Sequence, residues 1–225
     1  MSGHAVLFGS IGTIVETSNM QRRAFNRAFI DAGLNWYWDR ATYAHLLQKS
    51  GGYQRIVDFA ASLGEIVNAG AIHANKVRQF DILLRSEGIS LRPGVRDLID
   101  AAKSAGQQVG FVTSTGADQS QAIFDALGDD LTADTFDYIG NADRVKVSKP
   151  APDIYLDALG VLGVTASNAI AIEDSPVSAE AALAAGIATF GFPGEMHIDG
   201  AFPEGVTVIQ SLDPKIFTEN LLAAE

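Results

Sequence analysis

Several reactive side chains in this sequence stand at the ends of short apolar runs. Ala169-Ile170-Ala171-Ile172 leads into Glu173-Asp174, Val109–Val112 leads into Thr113-Ser114-Thr115, and Lys149 stands between Ser148 and Pro150. One amine and two adjacent carboxylates have the composition of a ligand-binding charge cluster. They equally have that of a structural ion-pair network at the carboxyl edge of a sheet, and both readings stand. The run His4–Phe8 leads into Gly9-Ser10-Ile11-Gly12, which has the composition of a phosphate-cradling loop. Neither the Gly-x-Gly-x-x-Gly spacing nor a Walker lysine accompanies it, so a turn that keeps the geometry of the fold is the better reading. Ser10 supplies a hydroxyl there with no evident base beside it. Arg55, close after Gly51-Gly52, reads either as a solvated helix residue or as a substrate clamp. His4, His45, His73 and His197 lack metal-ligand spacing and read as structural or surface residues.

The elements that must position these groups follow from periodicity. Short apolar runs at His4–Phe8, Val109–Thr113, Tyr138–Gly140, Ala169–Glu173, Ile187–Phe190 and Val206–Ile209 predict buried parallel strands. Helical patterns at Val95–Ala105, Ala117–Leu127, Asp153–Leu162 and Val177–Ala185 alternate with the later runs. Gly106, Gly128, Gly163 and Gly186 fall where helices should stop. Such alternation predicts an α/β fold, a doubly wound parallel sheet covered on both faces. Between Thr17 and Glu87 the strand signal vanishes and four helical patterns take its place, around Phe25–Ala32, Leu46-Leu47, Ile56–Ala60 and Val77–Leu84. Pro93-Gly94 marks the return to the sheet. The expected organisation is an α/β core domain of residues 1–16 and 88–225, with residues 17–87 inserted as a helical cap domain. Trp36, Tyr37 and Trp38 are expected to pack the cap helices.

Composition narrows the partners. The chain has 225 residues, 47% of them hydrophobic and 19% charged, enough for a sizeable core. A net charge of −11 without a basic block argues against a nucleic-acid partner. Without cysteine there is no disulfide framework, thiol nucleophile or thiolate metal site. No leader-like h-region and no apolar run of spanning length is present, so a cytoplasmic globular protein with no membrane partner is expected.

Together the motifs resemble a known family. Gly12-Thr13, Thr113-Ser114-Thr115, Ser148-Lys149-Pro150-Ala151-Pro152-Asp153-Ile154-Tyr155 and Ile172-Glu173-Asp174-Ser175-Pro176 look like the four motifs of the haloacid dehalogenase-like hydrolase superfamily, in order and spacing. Arg22-x-Ala24-Phe25-Asn26, Gly33-Leu34-Asn35-Trp36-Tyr37-Trp38 and Leu46-Leu47-x-x-x-Gly51-Gly52-x-x-Arg55-Ile56 resemble the xylulose-1,5-bisphosphate phosphatase branch, near the β-phosphoglucomutase-like group.

The resemblance implies a site with its catalytic groups replaced. The family's first motif carries an Asp nucleophile and, two residues on, an Asp acid/base; the matching positions hold Gly9 and Ile11. Gln21 stands where relatives often carry His, and Tyr53 where Lys is usual. What the resemblance retains is binding apparatus. Thr113 and Ser114 match the hydroxyl motif at the phosphoryl group, and Lys149 matches the ammonium that neutralises it. Gly51, Gly52 and Arg55 match the cap loop that grips the far end of the substrate. Glu173 and Asp174 match the acidic pair that holds Mg²⁺ directly or through water. With one direct anionic ligand missing, Mg²⁺ should be weakened or absent, and Lys149 is then expected to pair with Asp174. Losing a nucleophile costs on the order of a millionfold in turnover in a well-studied protease. The resemblance therefore implies a non-catalytic binder of a phosphorylated metabolite such as a sugar phosphate. The alternatives are a residual Mg²⁺-dependent sugar-phosphate phosphatase with a rerouted nucleophile, and an interaction protein with a vestigial site.

Overall fold

The structure is a computed structural model that describes residues 3–9, 11–49 and 51–215. Its centre is β1 (Ala5–Gly9), whose five residues are all buried. Burial on both faces is what a continuous apolar run demands of a strand in a parallel sheet. The other strands are β2 (Gln108–Val112), β3 (Tyr138–Gly140), β4 (Ala169–Glu173), β5 (Ala188–Gly191) and β6 (Thr207–Val208). They lie in the order β3-β2-β1-β4-β5-β6, every pairing parallel. The expected strand at Val206–Ile209 shrinks to two exposed residues because β6 is an edge with a single neighbour, while Ile209 turns into the core.

Side-chain alternation along β1 sorts the covering helices. Val6 and Phe8 pack with α5 (Val95–Ser104) and α6 (Ala117–Leu127), whereas Ala5 and Leu7 pack with α7 (Asp153–Leu162) and α8 (Pro176–Ala184). The sheet is thus wound on both faces, a Rossmann-like α/β fold, as the alternation of runs predicts.

Four helices follow β1 before the sheet resumes: α1 (Ser18–Asp31), α2 (Arg40–Leu46), α3 (Gly52–Leu63) and α4 (Ala69–Glu87). Asp39 accepts a hydrogen bond from Thr42 N at 2.7 Å and Asn68 one from Ala71 N at 3.0 Å, which caps α2 and α4. These helices close around aromatic rings, with Trp38 4.8 Å from Phe25 and 4.7 Å from Phe29. Trp36 and Trp38 are buried there as expected, but Tyr37 between them is exposed. Among the described residues no helix is long and apolar enough to cross a membrane.

Where the chain returns to the sheet, Arg92 fastens it. Its guanidinium lies 3.5 Å from the centre of the Phe192 ring and donates to Phe192 O at 3.1 Å, to Pro193 O at 2.9 Å and to Gly12 O. The turn after β1 is thereby tied to the loop after β5.

Candidate functional site

The winding reverses between β1 and β4, and an open α/β sheet offers its crevice at the carboxyl ends of strands at such a point. Gly9 ends β1, Thr113 follows β2 and Glu173 ends β4, so the fold brings three of the singled-out positions together. Lys149 reaches the same place from the loop before α7. Its Nζ donates to Glu173 Oε1 at 2.6 Å and to Val112 O at 3.3 Å, and both side chains of the ion pair are almost wholly buried. Tyr155 also donates its hydroxyl to Glu173 Oε1, and burial with the Glu173 charge pushes its phenol well above the usual range.

The expected Lys149–Asp174 pair is not what forms; Lys149 pairs with Glu173. The reason lies at Gly9. A Cβ placed on Gly9 would stand 2.4 Å from Glu173 Oε2 and 2.7 Å from Thr13 Oγ1. The space that a side chain at position 9 would fill is therefore taken by the Glu173 carboxylate. Asp174 turns the other way, against Gly12 and Gly194, where a Cβ on Gly12 would be 2.2 Å from Asp174 Oδ2. Burial, then the charges of Glu173 and Glu16, hold the Asp174 carboxyl well above the usual carboxylate range, with Lys149 opposing. The Thr13 hydroxyl is fully buried and has no hydrogen-bond partner among the described residues.

Thr113 is buried at the floor of a cavity of about 400 Å³, its hydroxyl oxygen accepting from Thr115 N at 3.0 Å. Ser114 lines the same floor. Ile11 borders the cavity while packing partly against the core. Ser10 lies outside the described residues.

The opposite wall comes from the helical segment. Gly51, Gly52 and Arg55 line it, and Gly51 adopts φ +95°, which favours glycine. Arg55 is half-buried and not free. It donates to Leu46 O at 3.0 Å and Lys49 O at 2.9 Å and lies over the Tyr43 ring at 5.6 Å, so it holds the loop between α2 and α3. His73 and His197 also line the cavity, both of them half-buried. Burial lowers both, and Lys76 and Arg55 lower His73 further.

Among the cavity residues that the sequence did not single out, one is a buried cation. Lys76 on α4 is 4% exposed and donates to Gln21 Oε1. Burial, with Arg55 adding repulsion, lowers its amine to about 7. The available signal was its place on an apolar helical face, four residues after Ile72 and four before Phe80.

A profile for haloacid dehalogenase-like hydrolases matches residues 4–186. The chain belongs to this family. Protein CbbY of Cereibacter sphaeroides is 38% identical over 193 residues, 84% of each chain. The plasmid-borne CbbY of Cupriavidus necator is 36% identical over 220 residues, covering 93% of this chain and 86% of the relative. Among solved structures, CbbY from Rhodobacter sphaeroides, in a variant complexed with xylulose-(1,5)bisphosphate, superposes with a TM-score of 0.85 at 35% identity, covering 93% of this chain and 95% of that one. A β-phosphoglucomutase from Clostridium difficile shares the fold, with TM-score 0.79 at 21% identity over 98% and 97% of the two chains.

Haloacid dehalogenase-like phosphatases generally use Mg²⁺, so the donor set bears testing against that ion. Mg²⁺ demands near-octahedral oxygen coordination. Here the sheet edge supplies two carboxylates, and Glu173 Oε1 already accepts from both Lys149 and Tyr155. Among the described residues no group of three or more His, Cys, Asp or Glu is placed to hold a metal. As arranged, these side chains do not fit the ion.

Proposed function

We propose that this protein is a haloacid dehalogenase-like phosphatase homologue that binds a phosphorylated metabolite, a sugar phosphate, without turning it over. The observation that carries the reading is the pairing of Lys149 with Glu173 in the space beside Gly9. A buried ammonium on the same cavity as the Thr113 hydroxyl supplies what a phosphate dianion needs, a charge and directed donors. No carboxylate at position 9 can attack phosphorus, and Ile11 can carry no proton to a leaving alkoxide. Residues 17–87 are read as a cap domain over a core of 1–16 and 88–225, with Gly51, Gly52 and Arg55 shaping the far end of the ligand site. Mg²⁺ is weakened or absent in this reading, because Lys149 already neutralises Glu173.

Binding proceeds by substitution of partners. The incoming phosphate competes with Glu173 for Lys149 and takes the Thr113 hydroxyl. Arg55 acts through the α2–α3 loop that it holds.

Isothermal titration with pentulose phosphates and bisphosphates, with and without Mg²⁺, tests the reading. Heat of binding that is independent of Mg²⁺ and lost in Lys149→Ala is expected. No binding of any member under either condition would sink it.

A second reading, a residual phosphatase, is favoured by one observation: a carboxylate does stand beside Gly9, and it belongs to Glu173. Phosphate release that disappears in both Lys149→Ala and Glu173→Gln would establish that reading over the first.

A further inference from the structure

We infer that Lys76 is a carbonyl-trapping amine, which makes the ligand of this cavity an open-chain aldose or ketose phosphate held as an imine. The inference rests on the sugar-phosphate reading and extends it from the phosphate to the carbonyl end of the ligand.

The geometry comes first. Lys76 is buried on the wall of the same cavity that has Thr113 and Lys149 at its floor, so one acyclic ligand can meet both ends. Its amine makes no ion pair with a carboxylate among the described residues. Its hydrogen bond runs to the amide oxygen of Gln21. The rings of Phe25 and Phe80 flank it, at 4.9 and 5.4 Å from Nζ. An amide oxygen accepts from a neutral amine as well as from an ammonium, though more weakly, and a neutral amine that donates there keeps its lone pair free. Ile11, on the same cavity, is apolar and supplies no counter-charge.

The electrostatics agree. Cation–π contacts stabilise a charged amine only modestly, which does not offset burial without a counter-ion. Burial and Arg55 bring the Lys76 amine down to about 7, so a large share is unprotonated near neutrality. Lysines activated in this manner, by desolvation and a neighbouring cation, are the ones that attack carbonyls.

The bond changes balance without any further reagent. The Lys76 lone pair forms the C–N bond as the carbonyl π electrons move to oxygen, and that oxygen takes one proton from nitrogen. Loss of the hydroxyl as water with the second nitrogen proton leaves C=N. His73 stands one helical turn before Lys76 on α4 and faces the cavity, and burial, Lys76 and Arg55 keep it below its ordinary pKa. A neutral imidazole there can relay the proton that the departing oxygen needs. Nothing is oxidised or reduced, and hydrolysis returns the ligand unchanged, so the device holds a ligand without consuming it.

Reductive trapping tests this on the full chain. The protein is incubated with ribulose 5-phosphate and cyanoborohydride, digested, and mapped by mass spectrometry, while ribitol 5-phosphate, which lacks the carbonyl, is titrated by calorimetry. The expected result is a reduced pentulose adduct concentrated on the peptide carrying Lys76, falling in Lys76→Arg to the level found on exposed lysines. Adduct spread evenly over surface lysines, or an undiminished yield in Lys76→Arg, overturns the inference. Ribitol 5-phosphate binding without any Lys76 adduct overturns the imine while leaving the sugar-phosphate reading intact. Failure of both overturns both. Because the wild-type peptide map is decisive by itself, misfolding of the variant would not rescue the inference.

Discussion

The carboxylate of Glu173 occupies the place where a side chain on Gly9 would begin, 2.4 Å from the position of its Cβ. Gly9 and Glu173 are therefore a complementary pair across β1 and β4. Any side chain at position 9 must move a carboxylate that Lys149 and Tyr155 hold. Gly9→Ala is expected to lower stability by about 1–3 kcal/mol, the usual cost of overfilling a packed interior. Urea denaturation checks it; an unchanged midpoint would mean that Glu173 moves away freely.

Restoring two carboxylates asks more of the site. In Gly9→Asp with Ile11→Asp, the new carboxylate at position 9 competes for Lys149 and releases Glu173 toward a metal. Mg²⁺ binding and Mg²⁺-dependent phosphate release from a pentulose bisphosphate are the expected gains. A folded, Mg²⁺-binding double variant without release would show that the departure from a working phosphatase extends past the first motif.

Breaking the ion pair from one side should be costly. Lys149→Ala leaves Glu173 buried without its counter-ion, and such a loss costs about 3–5 kcal/mol. Lys149→Met with Glu173→Gln removes both charges and should recover most of that stability. Thermal or chemical unfolding of the three proteins measures this, and equal losses in the single and double variants would contradict it.

Lys76 gives stability a pH dependence of definite sign. Unfolded, its amine holds a proton up to about 10.5; folded, it releases it at about 7. Between those values the unfolded chain binds more protons, so this contribution rises with pH and is least favourable below 7. The charged or titratable neighbours that bear on it are Arg55 on α3 and His73 on α4. Relative to Lys76→Met, the wild type should gain stability from pH 7 to 10, with about 1.4 kcal/mol per pH unit as a ceiling. A flat difference across that window would show that the amine stays charged in the fold.

The loop between α2 and α3 offers a fifth check. Arg55→Ala removes two hydrogen bonds to the carbonyls of Leu46 and Lys49. Each such bond to a charged group is worth about 1.5–3 kcal/mol when well buried and less here, where the second is exposed. Sugar-phosphate affinity should fall while the unfolding midpoint moves little. An affinity unchanged in Arg55→Ala would detach the loop from binding.

The strands were legible because a parallel strand covered on both faces leaves a continuous apolar run, as Ala5–Phe8 and Ala169–Ile172 do. Helix ends were legible where a glycine must take positive φ, as at Gly163. Lys76 was not legible as a site residue, because a lysine among apolar positions of α4 carries no local sign of which cavity it faces. Arg55 was similarly ambiguous: its partners are carbonyls of a loop six to nine residues away, and a backbone acceptor leaves no trace in residue type.

By itself the sequence determined the α/β winding, the inserted helical segment, the family, and the absence of carboxylates at positions 9 and 11, since these depend on local periodicity and residue identity. Only the tertiary structure decided what fills the room so created. Lys149 chose Glu173 over Asp174 because β1 and β4 lie side by side, and glycine at the end of one leaves space for the longer carboxylate at the end of the other. That choice depends on which atoms meet across the sheet, which is a property of packing rather than of order along the chain.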